Sequence, residues 1–508
     1  MMVRGENEEK SSLSLQPIMK KIEEAPVNGN RQQTAATMSS GCSMTSLKSN
    51  SSSSSDVVAK DNNNADPCWD SLPSVILLEI FSYLPQESRI QASQVCRYWR
   101  YALFHPSFWK KITFTLMDND SILWSRCLSS WFKFSVQDVT IRCESANNYV
   151  REALFVLKKL SGNRQLRKVF LEPIRCMFEY PTQEVNSKKL LKQLLNIMET
   201  SNCLEALSLG CIEELTEDLT VILEPLKHNH ANHLTHLSLA SIKDDPEHYN
   251  FLELDHSLFN SFARLSILSI DYDHVIDNLL QALNSGTMER LVIHVHGWSG
   301  EYVGTSNNAW IAFTQKNPRC ELRLNLIHSY SAVRVLDSEI LQSAMPLTHL
   351  KVLFCERVNV TAFQIISDWY SSTLKSLIWI DSFNYHQNHF NSVYNFGDLN
   401  NPDPLVLAAW KCKNLSEIVF IGHEYFLINL AAIVRLRHNT LKRFEFAESD
   451  IVSEQSWMEH KAIINEVKEV MGKQWKLLSD EELPKVVIHS LSGDSREVIM
   501  PMVLRDQK

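Results

Sequence analysis

Histidines are the residues whose spacing comes nearest to chemistry in this chain. His228, His230, His233 and His236 cluster between Pro225 and Leu237, and a metal ion would want imidazoles so grouped. Tetrahedral zinc sites usually add cysteine or carboxylate to their imidazoles, so no metal is assigned to this cluster. His294 and His296 fall on one face of a strand by its two-residue period, which predicts a partner-facing or half-buried pair rather than a ligand pair. His386 and His389 sit in a predicted loop and are not assigned as metal ligands either. The 11 cysteines are scattered with no C-x-x-C pair, several of them in apolar runs where a thiol behaves as a small hydrophobe. Only 13 glycines are present, and none builds a G-x-G-x-x-G, a phosphate loop or a G-x-S-x-G elbow. The sequence therefore offers no catalytic residue, no metal site and no cofactor site.

With chemistry set aside, function has to reside in surfaces and in the elements that build them. A chain of 508 residues exceeds one ordinary core, which predicts about two to four domains, or one small domain and an elongated repeat. Hydrophobic residues at 44% are ample for a folded body, and a formal net charge of −9 gives no general basic surface. That balance argues against wholesale binding to nucleic acid or to anionic membrane. No apolar run reaches the ~18 residues needed to span a bilayer, and Met1 to Lys10 lacks the apolar core of a secretory signal. The expected compartment is cytoplasmic, nuclear or both, and the scattered thiols suit a reducing one.

Asp66 to Phe114 is the most structured signal. Leu77, Ile80, Phe81 and Leu84 recur at the spacing of one helix face, and Pro85 stops that helix. Ala92, Val95, Cys96, Trp99, Ala102 and Leu103 mark a second. The pattern Leu72-Pro73, Ile80-Phe81, Leu84, Val95-Cys96, Trp99 and Trp109 resembles an F-box, the helical module that docks on a Skp-type adaptor. The resemblance implies adaptor binding through Leu72, Pro73, Leu77, Ile80, Phe81, Leu84, Val95, Cys96 and Trp99. Among these, Leu72, Pro73, Leu77, Ile80 and Leu84 are the candidates for direct contact, in the helix-in-groove mode. So small a unit with a wide apolar surface also favours burial against a partner on physical grounds.

From Ile112-Thr113-Phe114 onward an internal repeat takes over. Its unit is an apolar triad of the form L-x-x-L-x-L: Val136/Val139/Ile141, Leu166/Val169/Leu171, Leu204/Leu207/Leu209, Leu234/Leu237/Leu239, Leu265/Leu268/Ile270 and Met288/Leu291/Ile293. It continues as Leu322/Leu324, Leu347/Leu350/Val352, Leu374/Leu377/Trp379, Leu415/Ile418/Phe420 and Leu441/Phe444/Phe446. Triads recur mostly every 25 to 40 residues or so, longer than the roughly 20–29 of a compact leucine-rich repeat, so each unit has room for a helix. Leu190 to Met198 and Ile276 to Leu283 read as two such helices. Stacking strand and returning helix many times predicts an α/β solenoid with parallel strands on the concave face and helices outside. A doubly wound α/β sheet is the competing architecture. The triads resemble the irregular leucine-rich repeats of F-box proteins, although no regular asparagine ladder accompanies them.

Four segments result. Residues 1–65 are a Ser/Asn-rich tail that cannot bury enough to fold and is expected to be disordered. Residues 66–114 form the F-box, 115–450 the irregular solenoid and 451–508 a C-terminal cap. Tyr302 to Asn308 and Ser382 to Asn401 read as loop insertions. Asp403-Pro404 opens a helix through Cys412, with Asp as cap and Pro in the first turn. That helix and Asn429 to Arg437 resemble the C-terminal repeats of a protein of the same family. Trp457 to Trp475 is predicted as an amphipathic helix and Lys485 to Leu491 as a last strand, closing the open end of the solenoid.

The resemblance implies a non-catalytic, substrate-choosing subunit of a Skp–cullin–F-box ubiquitin ligase. Its partners would be the Skp-type adaptor and, through it, a cullin and a RING protein, with an unspecified protein substrate on the repeats. A scaffold that assembles partners without degrading them is the alternative.

Overall fold

The computed structural model describes Trp69 and residues 72–508, except 247, 249–252, 284, 301–302, 384–402 and 453–456. The tail expected to be disordered over 1–65 and nearly all of the insertion expected at Ser382 to Asn401 lie outside the described residues. Two compact units part between Phe108 and Trp109.

The first unit carries α1 (Ser74–Tyr83), α2 (Gln86–Ala92) and α3 (Arg97–Leu103). Pro85 follows α1 closely because a ring nitrogen cannot extend the helix, and Arg89 Nε donates to the Phe81 carbonyl at 2.8 Å, taking up one of its open acceptors. Cys96 caps α3, its Sγ accepting from the Trp99 N–H. The core closes on Phe81, which meets Trp99 edge-on at 5.9 Å and Phe108 at 6.2 Å, while the Arg89 guanidinium covers the Phe108 ring at 4.8 Å.

The second unit begins with β1 (Lys111–Leu116), α4 (Asn119–Trp131), β2 (Asp138–Cys143), α5 (Asn147–Leu160), β3 (Lys168–Pro173) and α6 (Gln183–Thr200). Next come β4 (Ala206–Ser208), α7 (Leu219–His230), β5 (His236–Ser238), β6 (Ile267–Asp271), α8 (Asp277–Ala282), β7 (Arg290–Val295), α9 (Asn307–Lys316) and β8 (Glu321–Ile327). They are followed by β9 (Leu347–Leu353), α10 (Val360–Trp369), β10 (Ser376–Ile380), α11 (Pro404–Lys411), β11 (Glu417–Ile421), β12 (Tyr425–Phe426), α12 (Leu427–Arg437), β13 (Arg443–Phe446) and β14 (Ile451–Val452). The chain ends in α13 (Trp457–Met471), α14 (Lys485–Ile488) and α15 (Arg496–Asp506).

Twelve strands, β1 to β11 and β13, form one sheet in chain order, each parallel to the next. A doubly wound sheet reverses its strand order at a switch point; this one never does, so the architecture is a solenoid. The register follows the triads: Val139, Val169, Leu207, Leu237, Leu268, Leu291 and Leu322 stand in one row. After an irregularity at Leu322/Arg323 the row resumes as Leu324, Leu350, Leu377, Ile418 and Phe444. These side chains are buried against the helix layer, in which α4 packs on α5, α5 on α6, α6 on α7, and α10 through α13 each on the next.

The asparagine ladder that the repeats lack is replaced mainly by hydroxyls. Thr235 Oγ1 donates to the Glu205 carbonyl, Ser266 Oγ to the Thr235 carbonyl and Ser416 Oγ to the Lys375 carbonyl, each at 3.0–3.1 Å from the residue after a triad's first position to its counterpart one repeat back. Asn163 and Asn317 make related bonds to the Val136 and Leu283 carbonyls. The Thr235, Ser266 and Ser416 turns are half-buried and the carbonyls they reach also accept backbone N–H groups, so each hydroxyl adds one more link between neighbouring repeats, whereas the two asparagines serve carbonyls in buried turns.

At the far end, Asp403 caps α11 by accepting from the Val406 N–H at 2.8 Å, with Pro404 in the first turn, as expected. α13 stacks on α12, and Trp475 donates its indole N–H to the Phe444 carbonyl at 2.7 Å on the last strand. The strand expected over Lys485 to Leu491 does not form. Pro484 starts a helical turn there instead, and Val486 and Val487 are buried together rather than alternating across a pleat.

Candidate docking surfaces

In the helical unit, nearly the whole of α1 is apolar, and its two sides are used differently. Leu77 and Phe81 are 1% and 0% exposed; both belong to the unit's own core, which corrects the reading of Leu77 as a direct adaptor contact. Leu72, Ile80, Leu84, Cys96 and Trp99 are half-buried, and Pro73 and Val95 are exposed. Trp99 serves packing and position at once, since its indole N–H also donates to the Trp69 carbonyl at 3.1 Å.

Residues that sequence reasoning missed complete the open face. Val75, Ile76 and Tyr83 on α1, and Tyr98 and Tyr101 on α3, are large hydrophobic side chains left exposed, with Tyr83 and Tyr101 almost fully so. Ile76, Ile80 and Tyr83 share a helical stripe about 100° round the helix from Leu77 and Phe81. The signal was available: with five apolar residues running from Val75 to Ile80 broken only by Glu79, one face of α1 has to remain uncovered.

In the repeat unit the sheet has a second apolar layer on the face away from α4 to α13. Leu353, Ile378, Ile380, Val419 and Ile421 pack with Val486, Val487, Val498, Ile499, Met502 and Val503. The C-terminal residues thus lie across the strands, and α15 is fixed there by a charged knot. The Asp506 carboxylate meets Arg323 Nη1 at 2.9 Å, Asn325 Nδ2 at 3.1 Å and the Lys351 ammonium. Burial pushes this carboxyl upward, but Lys351 and Arg323 outweigh burial and hold it below the usual range. Gln507 reaches Ser208, Cys211 and Ser269, Arg290 donates to the carbonyls of Asp506 and Lys508, and Lys508 pairs with Glu172 at 2.6 Å. At the other end of the helix Arg496 pairs with Asp244, and Ser495 Oγ lies 2.8 Å from His328 Nε2.

The histidines do not assemble a metal site as the sequence grouped them. His230 is buried and bridges the Met198 carbonyl and the Leu204 N–H, His236 meets Ser238 on β5, and His228 and His233 are exposed. His294 and His296 are 0% and 2% exposed, so they are fully buried rather than partner-facing. Both have a ring nitrogen on the Ser241 carbonyl, at 2.8 and 3.1 Å, and Asp271 accepts from the Ser241 N–H and hydroxyl. Their ligand atoms lie within 4.8 Å of one another. The Lys243 ammonium, 3.6 Å from Asp271, already supplies the positive charge a cation would bring; burial pushes the Asp271 carboxyl upward, but Lys243 together with His296 and His294 outweighs it and holds the carboxyl below its ordinary range. The arrangement works as a hydrogen-bonded hub around Ser241.

Nucleophilic chemistry has little support among the described residues. Burial pushes the thiols of Cys143, Cys176, Cys320 and Cys412 up to about 12, where they stay protonated. No helix among the described residues is long and apolar enough to cross a membrane.

Comparison with known proteins agrees with the helical unit. Residues 69–115 match the F-box-like family. The sequence is 24% identical to F-box only protein 33 of Homo sapiens over 81% of this chain and 83% of that one, and equally so to its Mus musculus counterpart. F-box/LRR-repeat protein 21 of Mus musculus is 35% identical over 14% of each chain. Among solved structures, the crystal structure of a TLR13–ssRNA13 complex matches 64% of this chain and 48% of that chain at 12% identity, with a TM-score of 0.29.

Proposed function

We propose that this chain, an F-box protein related to F-box only protein 33, is the substrate-recognition subunit of a Skp–cullin–F-box ubiquitin ligase. The F-box binds a Skp-type adaptor, and through it a cullin and a RING protein, while the repeats hold a protein substrate for ubiquitination and proteasomal degradation. Its contribution is proximity: tethering raises the effective concentration of substrate lysines near the ubiquitin thioester, and no residue of this chain enters the chemistry. The working compartment is the cytoplasm, the nucleus or both. The observation that carries this reading is the F-box-like match at 69–115, on whose first helix Ile76 and Tyr83 stand exposed beside half-buried Ile80.

Co-purification of the Skp adaptor and cullin with the wild-type chain and with an Ile76→Ala/Ile80→Ala/Tyr83→Ala chain tests the docking step. The triple variant should fold and lose both partners; retention of both at wild-type yield overturns the assignment of this stripe. Depleting the protein should lengthen the half-life of at least one repeat-bound partner, restored by wild type and not by the variant. Unchanged half-lives for every partner would replace the ligase subunit with a non-degradative scaffold.

A further inference from the structure

The face of a solenoid sheet that most often meets partners is here occupied by the chain itself. We propose that α15 is a displaceable occupant of a peptide groove. The groove accepts, in competition with α15, a partner segment that presents a Val/Ile/Met helix face ending in an acidic side chain. This deepens the proposed function, resting on its premise that the repeats hold a protein.

Three observations carry it. The groove is intact without α15: every strand pairing and the whole triad core lie in the sheet and on its other face, so lifting the helix exposes part of the second apolar layer, which Ile327 and Leu353 of β8 and β9 share with Val498, Ile499, Met502 and Val503, without opening that core. What the groove selects is displayed by its occupant, with Val498, Ile499, Met502 and Val503 on the apolar floor and Asp506 on Arg323, Asn325 and Lys351. The seat is also incomplete. Arg323 Nε, Asn325 Oδ1 and His294 Nε2 are buried on neighbouring strands with no hydrogen-bond partner, and Pro501 removes one backbone N–H from the middle of α15. Unmet buried polar groups raise the free energy of the closed state, and water or a better partner relieves them. The connection Ser490 to Ser495, containing Gly493 and the exposed Leu491, borders a cleft of about 440 Å³ lined also by His328, Glu356 and Asp381.

The test uses the full chain and a fluorescent peptide of residues 495–508 added in trans. An Asp506→Ala chain keeps the groove and loses its own anchor, so it should bind the peptide about tenfold tighter or more than wild type, because the fraction of open groove sets the apparent affinity. A Gln507→Cys chain, oxidised onto Cys211, whose Sγ lies 3.0 Å from Gln507 Nε2, should bind none until reduced. A peptide with the Asp506 position changed to Ala should fail to compete. Equal peptide binding by all three chains, or binding by none of them with both variants folded by circular dichroism, overturns the proposal. Adaptor co-purification should be unaffected by these changes, so failure here is distinguishable from failure of the ligase reading.

Discussion

Asp506 on the last helix and Arg323 on β8, 183 residues apart in sequence, meet at 2.9 Å in the buried seam between α15 and the sheet. The same carboxylate serves the buried Lys351, so removing it strands that ammonium and leaves Arg323 only Glu321 at 3.6 Å. Taking one partner from a buried pair costs about 3–5 kcal/mol. Asp506→Ala should therefore lower hydrogen-exchange protection across residues 498–506 sharply while leaving β2 and β3 protected; unchanged protection of α15 would contradict the role given to this knot.

The two sides of α1 should separate stability from binding. Leu77→Ala opens a cavity in the helical unit and should cost about 2–5 kcal/mol, seen as loss of that unit's thermal transition. Tyr83→Ala, on the exposed side, should change stability by less than about 0.5 kcal/mol and still reduce adaptor capture. A Tyr83→Ala chain that melts early would place this residue in the core instead.

Gly422 has φ +91°, and an added Cβ would come within 2.4 Å of the Asp381 carbonyl oxygen. Strain and clash then act together, and the following Asp450 contact to the Gly422 N–H, at 2.7 Å, would be disturbed. Gly422→Ala should destabilise the repeat unit by more than about 1 kcal/mol in urea unfolding, whereas alanine at Gly472, where nothing lies within 4 Å but φ is +100°, should cost only the backbone strain.

Acid should weaken the repeat unit above the usual carboxylate range. Burial pushes His236, His274 and His294 down to about 4, against about 6.5 in the unfolded chain. Their neutral burial stabilises the fold above about 6.5 and is lost as pH falls toward 4, at up to about 1.4 kcal/mol per pH unit for each. Asp450 runs oppositely: burial raises it to about 7, so its contribution is present at low pH and lost as pH rises through 7. The urea midpoint should fall from pH 7 to 5, and Asp450→Asn should be more stable than wild type at pH 8 and show a steeper acid decline. A flat profile from pH 7 to 5 would refute neutral burial of these histidines.

The Ser241 hub should be indifferent to chelators. With Lys243 as its cation, EDTA is expected to leave the melting temperature unchanged. Asp271→Ala, which takes their acceptor from the Ser241 N–H and hydroxyl and the nearer of its two carboxylates from Lys243, should cost about 3 kcal/mol or more; a chelator-induced drop in melting temperature would mean a metal ion holds the hub.

Much of the fold was legible because the triads are a one-dimensional signal. A Leu at each core position is dictated by the strand's own period, so Leu237 and Leu268 declare their register without reference to each other. The Asp403 cap is equally local, its acceptor reaching a backbone N–H three residues on. The same locality failed at Leu77. Helical spacing identifies which residues share a face, but an α1 apolar on both sides has two candidate faces, and only packing against Trp99 and Phe108 decides which becomes core.

By itself, then, the sequence determined the helical module, the parallel repeats and the order of their strands, since each rests on contacts within a unit or between adjacent units. It also held a muted sign of the second layer: Leu377-Ile378-Trp379-Ile380 and Ile418-Val419-Phe420-Ile421 are apolar without alternation, as strands buried on both faces must be. What covers that second face was decided only in three dimensions. The pairing of Asp506 with Arg323 and Lys351, and of Gln507 with Ser208, joins residues separated by up to 299 positions, and such pairs carry no spacing for a pattern to register. The Ser241 hub and the loss of the expected last strand have the same origin, because long-range burial outweighed the local preferences that spacing reports.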